Sequence, residues 1–207
     1  MPITINGNGT VTGLAVGGLP DGIVDADTLA ANAVTSGKLA SGVGGKVLQV
    51  LQDTKTDDYG VTSSGTTTYT IPGLEQAITL SNASNKVLVV VNLNVNNYTG
   101  SYNGQHWWLN RVTDGSDNKI HVGEQIGSNR QRGTGSGGIS SATVHTLNES
   151  ATCLDVPGSI GPHTYNIQWK DGNGDGGTMY INRGSNNSDA TSHTICISSI
   201  TLTEIAA

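Results

Sequence analysis

Phenylalanine is absent from this chain, and cysteine occurs only twice. Two cysteines cannot build the disulfide framework that holds together small secreted domains with little core. Cys153 and Cys196 both sit in apolar, strand-like runs and read as small buried residues rather than a redox pair. Cations are also scarce: ten Lys and Arg against sixteen Asp and Glu leave a net charge of −6. That balance argues against nucleic acid as a partner, because phosphate binding needs clustered Lys and Arg. The one semi-basic patch, around Arg130 and Arg132, is too small to reverse it. No run approaches the ~20 apolar residues of a membrane span. The opening Met-Pro-Ile-Thr-Ile-Asn-Gly has neither the basic start nor the apolar core of a signal peptide. A soluble product made in a cytoplasm is therefore expected, without membrane insertion.

What the chain does have is glycine, 29 residues of it, together with Thr, Ser, Asn and aliphatic side chains. Charged residues make up only 13%, which argues against ordinary disorder. Frequent β-branched residues between turn-formers predict an all-β protein. Residues 1–22 alternate apolar and polar without a core and read as an extended leader. Residues 23–45 hold the only helix-like stretch: Asp25 or Asp27 can cap its start, and Leu29, Ala30, Ala31 and Ala33 favour it. One or two short turns are expected, too short to be stable alone. From 46 to 207 the pattern predicts about ten short strands, among them 47–52, 66–71, 76–80, 86–95, 105–113, 142–147, 151–156 and 194–203. Pro72-Gly73 is read as a turn, and the run from 86 as buried on both faces at first. A jelly-roll β-sandwich fits this length.

Several motifs invite chemistry. Asp171-Gly-Asn173-Gly-Asp175-Gly matches the opening of a calcium loop, but the twelfth position is Asn182 rather than a bidentate Glu. A glycine-rich hairpin is the simpler reading, with Asp171, Asn173 and Asp175 as a weak metal alternative. Gly133-Thr-Gly-Ser-Gly-Gly138 spells a dinucleotide fingerprint without the following helix that gives it meaning, and reads as a mobile loop. His106, His121, His145, His163 and His193 are scattered singly. There is no G-x-S-x-G, and Asp57-Asp58 has no apolar pocket in its surroundings. No enzyme and no cofactor are expected. The stretch from Tyr98 through Tyr102 to His106, Trp107 and Trp108 sets aromatics beside Asn, Gln and Gly, as a sugar-binding surface requires. In a strand the two tryptophans point to opposite faces, so at most one need be core; the other is exposed or lies at a subunit interface.

The leader Ile-Asn-Gly-Asn-Gly-Thr-Val-Thr-Gly, the run Val-Gly-Gly-Leu-Pro-Asp-Gly-Ile-Val-Asp and the stretch Leu-Ala-Ala-Asn-Ala-Val-Thr-Ser-Gly-Lys-Leu resemble the start of tail-fibre-like virion proteins of aquatic, cyanophage-type bacteriophages. Tyr180-Ile-Asn-Arg183 and the ending Ile200-Thr-Leu-Thr-Glu-Ile are also similar to that group. The resemblance implies a homotrimer attached to the virion, made in the bacterial host and carrying a compact β head, and it supplies no site residues. It leads to the expectation of a trimeric short fibre whose residues 1–22 dock on other virion proteins (capsid, tail or adaptor). Ile23, Val24, Leu29, Ala33, Val34 and Leu39 would form the trimer segment, and the head would touch host surface polysaccharide. The alternative is a capsid decoration protein or head fibre, which the short stem favours; a glycan depolymerase comes last.

Overall fold

The computed structural model describes residues 4–5, 11–12, 29–31, 33–35, 38, 46–64, 67–98, 105–137, 144–172 and 176–207. The chain divides into two compact units, Met1–Gly45 and Lys46–Ala207. In the first, β1 (Thr4–Ile5) pairs antiparallel with β2 (Val11–Thr12). The described part of 29–38 is two isolated turns: Ala33 N donates to Ala30 O at 2.9 Å, and Lys38 N to Thr35 O at 2.8 Å.

The second unit is an all-β sandwich. Its strands begin with β3 (Val47–Lys55), β4 (Tyr59–Thr62), β5 (Thr68–Thr79) and β6 (Lys86–Tyr98). Next come β7 (Gln105–Thr113), β8 (Ser116–Ile120), β9 (Gly135–Gly137) and β10 (Leu147–Asp155). Last are β11 (Pro162–Asp171), β12 (Thr178–Ile181) and β13 (Ser198–Ile205). All pairings are antiparallel, in a six-stranded and a five-stranded sheet. Some strands share one lane end to end. β12 and β13 line the same edge of β6, β4 and β3 lie beyond them, and β8 and β9 line one edge of β7. Each sheet is therefore four lanes wide. Counted in chain order, the lanes run first–eighth–third–sixth in one sheet and second–seventh–fourth–fifth in the other. This interleaving of two Greek keys is the jelly roll.

The core follows from strict alternation. Val87, Val89, Val91, Leu93 and Val95 of β6 are fully buried and face Trp107, Leu109, Tyr165, Ile167 and Trp169 of the other sheet. Each such side chain contributes about 1.5–3 kcal/mol through removal from water. The run from 86 is not buried on both faces, because Leu88 is only half-buried and Val90 is exposed. Polar bridges also cross the sandwich. Arg111 Nη1 donates to Asp155 Oδ2 at 2.6 Å, the Tyr165 hydroxyl donates to the same oxygen at 2.7 Å, and Trp107 Nε1 donates to Glu149. Burial, and then the bond to Asp155, push the Tyr165 hydroxyl far above the usual tyrosine range.

Pro72-Gly73 does not turn the chain. Both lie inside β5, an edge strand, where proline's missing N–H costs no ladder bond. The register shifts opposite them, between Asn166 and Gln168, and Gly73 takes φ +74°. The expected turn is a bulge. Likewise 147–155 is one strand rather than the end of one and the start of another. The β7–β8 hairpin turns on Asp114-Gly115, both at positive φ, the geometry a two-residue hairpin loop demands.

Candidate functional site

The described part of the aromatic stretch expected to contact ligand, 105–108, is interior, with His106 half-buried. Trp107 is 1% exposed and belongs to the core; Gly135 makes room for it, since a Cβ there would lie 2.5 Å from the indole nitrogen. Trp108 points to the opposite face, as alternation requires, yet it is only 2% exposed. Its Nε1 donates to Gln168 Oε1 at 3.0 Å, and Lys119 Nζ sits 3.6 Å from its ring centroid. Neither indole keeps a face open for a sugar ring, and Trp108 is buried by its own chain. The sequence could not reveal this, because Gln168 and Lys119 come from neighbouring strands. Burial first, and then Lys119 and Lys170, lower the half-buried His106 below the usual imidazole value against the pull of Asp171. Tyr98 ends β6, and Tyr102 lies outside the described residues.

Asp171 is fully buried, and its Oδ2 accepts from Ser63 Oγ at 2.8 Å and from the Gly177 amide at 3.1 Å. The carboxylate thus ties together the two ends of the link from β11 to β12; these strands lie in different sheets, so the link is a crossover and not the expected hairpin. Asn173 and Asp175 lie outside the described residues. Among the described residues, no three His, Cys, Asp or Glu side chains gather as a metal site. Gly133-x-Gly-x-x-Gly contains β9, so its residues 135–137 are strand, while 133–134 are loop as expected. Both cysteines are free and half-buried rather than fully buried, and burial pushes the Cys153 thiol up to about 11. Leu29 and Val34 are exposed and Ala33 is half-buried, while Ile23, Val24 and Leu39 lie outside the described residues. No described helix is long and apolar enough to cross a membrane.

What the fold does present are two excursions from broken lanes, built alike. The chain leaves the β8 lane at His121 (φ 52°) and the β12 lane at Asn182 (φ 66°), both left-handed. It returns with a hydroxyl that fills the gap in the neighbouring ladder. Thr134 Oγ1 accepts from Leu109 N at 3.0 Å and donates to His121 O at 3.0 Å. Ser198 Oγ accepts from Asn94 N at 2.9 Å and donates to Asn182 Oδ1 at 2.6 Å.

The excursion of residues 182–197 borders a half-open recess of about 250 Å³, lined by Arg183, Asn186, Asn187, Asp189, His193 and Thr194 among others. Arg183 organises it. Its Nε pairs with Asp58 at 2.5 Å, its Nη1 donates to Gly184 O at 3.0 Å, and its Cζ stacks 4.4 Å from the Tyr180 ring centroid. Gly60 permits the stack, because a Cβ there would meet the Tyr180 ring at 3.0 Å. Inside the loop, Ser188 N donates to Asn186 Oδ1 at 3.2 Å and His193 N to Ala190 O at 2.9 Å. His193 Nε2 is buried without a hydrogen-bond partner. Amides, a hydroxyl, a carboxylate and an imidazole are among the groups that line the recess, and a polyhydroxylated ligand can pair with each of them. The volume is below the ~300–1,000 Å³ of drug-sized sites, so it suits one sugar residue rather than an oligosaccharide. The visible sequence signal was Asn-Asn-Ser-Asp at 186–189, polar residues interrupting two apolar strands.

Compared with models of protein families and with curated proteins, the chain matches none.

Proposed function

We propose that this chain is a bacteriophage virion structural protein. It is a homotrimeric short fibre attached through residues 1–22, with residues 23–45 as the trimer segment and a jelly-roll head that contacts host surface polysaccharide. The observation that carries the reading is the recess at 182–197, lined by amides and hydroxyls on the β-sandwich head. It supports binding of a sugar residue rather than chemistry on it. The leader's resemblance to virion fibres supplies the setting. The short stretch between leader and head favours a second reading, a capsid decoration protein or head fibre.

Antibody raised against residues 46–207 should label purified virions, at the tail for the first reading and over the shell for the second. Full-length chain should bind polysaccharide extracted from the host envelope. Asn187→Ala should weaken that binding roughly tenfold without moving the melting temperature, about the loss of one or two hydrogen bonds. Absence from virions would sink both readings, and release of oligosaccharides would convert the recess into a depolymerase site.

A further inference from the structure

The two outer faces of the sandwich differ in kind. On the six-stranded sheet, the register sets Leu154, Leu88, Thr203 and Val50 side by side across all four lanes. The next row places Val90 among Thr152, Thr201 and Gln52, and a third is Ser, Asn, Ser and Thr. No residue in these rows is charged; Lys86, one row beyond Leu88 on β6, is the charge that borders them. The outer face of the other sheet carries Glu75, Asp117, Lys119 and Lys170. Val50, Val90 and Leu154 are 59%, 38% and 51% exposed. Among the described residues, every exposed large apolar side chain on a head strand belongs to β3, β6 or β10 of this one sheet. A patch of this kind, apolar at one end and depleted of charge throughout, has the composition of an interface core rather than of solvent-facing strand.

We propose that a neighbouring copy of this chain covers this face. A copy fits because residues 46–207 carry thirteen Asp and Glu against nine Lys and Arg, a net charge of −4, so two heads repel unless they meet on surface without charge. The hydroxyls and amides of the polar rows are both donors and acceptors and can therefore pair with their own kind. With strands ~4.8 Å apart and rows ~6.7 Å apart, the three rows cover roughly 400 Å². That is about half of the ~800 Å² each partner gives to a standard interface. Contact through this face alone is weak, and it becomes effective when copies are already tethered, where linkage supplies a high local concentration. The inference rests on the homotrimer reading for that tether and adds a second, head-borne contact to it.

Sedimentation of the full chain tests it. Wild type should be oligomeric at micromolar concentration. Val90→Lys and Val50→Glu, each placing charge on the face, should each weaken association by at least about tenfold, the scale of a lost interface anchor. Ala77→Lys, on the outer face of the other sheet, should behave as wild type. Unchanged far-ultraviolet dichroism and melting in dilute solution separate lost contact from lost fold, and two variants on different strands guard against one misfolding. If wild type is oligomeric and both variants dissociate over the same dilution range as wild type, this face is not the contact and the trimer reading survives. A monomeric wild type overturns both.

Discussion

At the scale of single residues, Glu204 shows how a buried charge is kept. It lies on the inward side of β13, in step with Ile200 and Leu202, and is 1% exposed. Burial alone would raise its pKa. Asn85 Nδ2 at 2.7 Å, Gln49 Nε2 at 2.6 Å, and the Ser81 amide and hydroxyl at 2.7 and 2.8 Å outweigh that and hold the carboxyl at about 2. The folded pKa lies below the unfolded one, so this stability is fully present above pH about 4.5 and is lost as pH falls through about 2. Thermal melts of wild type should slope downward across that window. Glu204→Gln should melt lower at pH 7, by about 2–4 kcal/mol from unsatisfied donors, with a flatter profile below pH 4.5. An equal slope in the variant would remove Glu204 as the cause. The period of two that puts Glu204 in step with Ile200 and Leu202 is present in the sequence. The partners of Glu204, more than a hundred positions away, were not legible.

At the scale of elements, the sequence made the long strands readable and the interruptions unreadable. The Val-Leu-Val-Val-Val run at 87–91 reads as strand from its β-branched content and short length; it has no period of two, so the sequence does not show that Leu88 and Val90 face outward. Pro72-Gly73 looks like a turn because local chemistry cannot show that β5 is an edge strand, where a bulge is tolerated. The broken lanes were equally hidden, since 178–182 and 194–203 read as two strands and nothing local says that they lie in line. Asn182 holds this break together. Its Nδ2 donates to Lys55 O and Asp57 O, each at 2.8 Å, which also fixes the joint between β3 and β4. Its left-handed backbone, φ 66°, is one that asparagine tolerates better than alanine. Asn182→Ala should therefore destabilise the head by about 3–4 kcal/mol, adding the loss of the buried bonds to Lys55 O and from Ser198 Oγ, and of the part-buried one to Asp57 O, to ~1 kcal/mol of backbone strain. Asn182→Gly should recover only the strain, about 1 kcal/mol. Chemical denaturation of the three proteins measures both differences, and an alanine variant as stable as wild type would show that the clip is dispensable.

For the whole molecule, the topology decides which ends can be cut. All residues of the core cluster lie in the unit Lys46–Ala207, and the first strand of that unit pairs with its last, Ile205 opposite Val47. The end of the chain is bonded to the beginning of the head: Ala206 N donates to Lys46 O at 2.7 Å, Lys46 Nζ to Ala207 O at 3.2 Å, and Ala207 N to Asn85 Oδ1 at 3.2 Å. Removal of residues 1–45 should accordingly leave the head folded, with a melting temperature within about 3 °C of the full chain, equivalent to about 1 kcal/mol for a domain of this size. Removal of residues 198–207 should abolish cooperative melting, because it takes Ile200, Leu202 and Glu204 from the interior and leaves β3 and β6 without the strand between them. The near-ultraviolet dichroism of buried Trp107, Trp108 and Trp169 reports both outcomes directly. On the proposed function, the head lacking residues 1–45 also fails to join virions while still binding polysaccharide. Loss of fold on removing 1–45 would mean that the head depends on its leader for stability, and the division of labour between docking unit and binding head would fall with it.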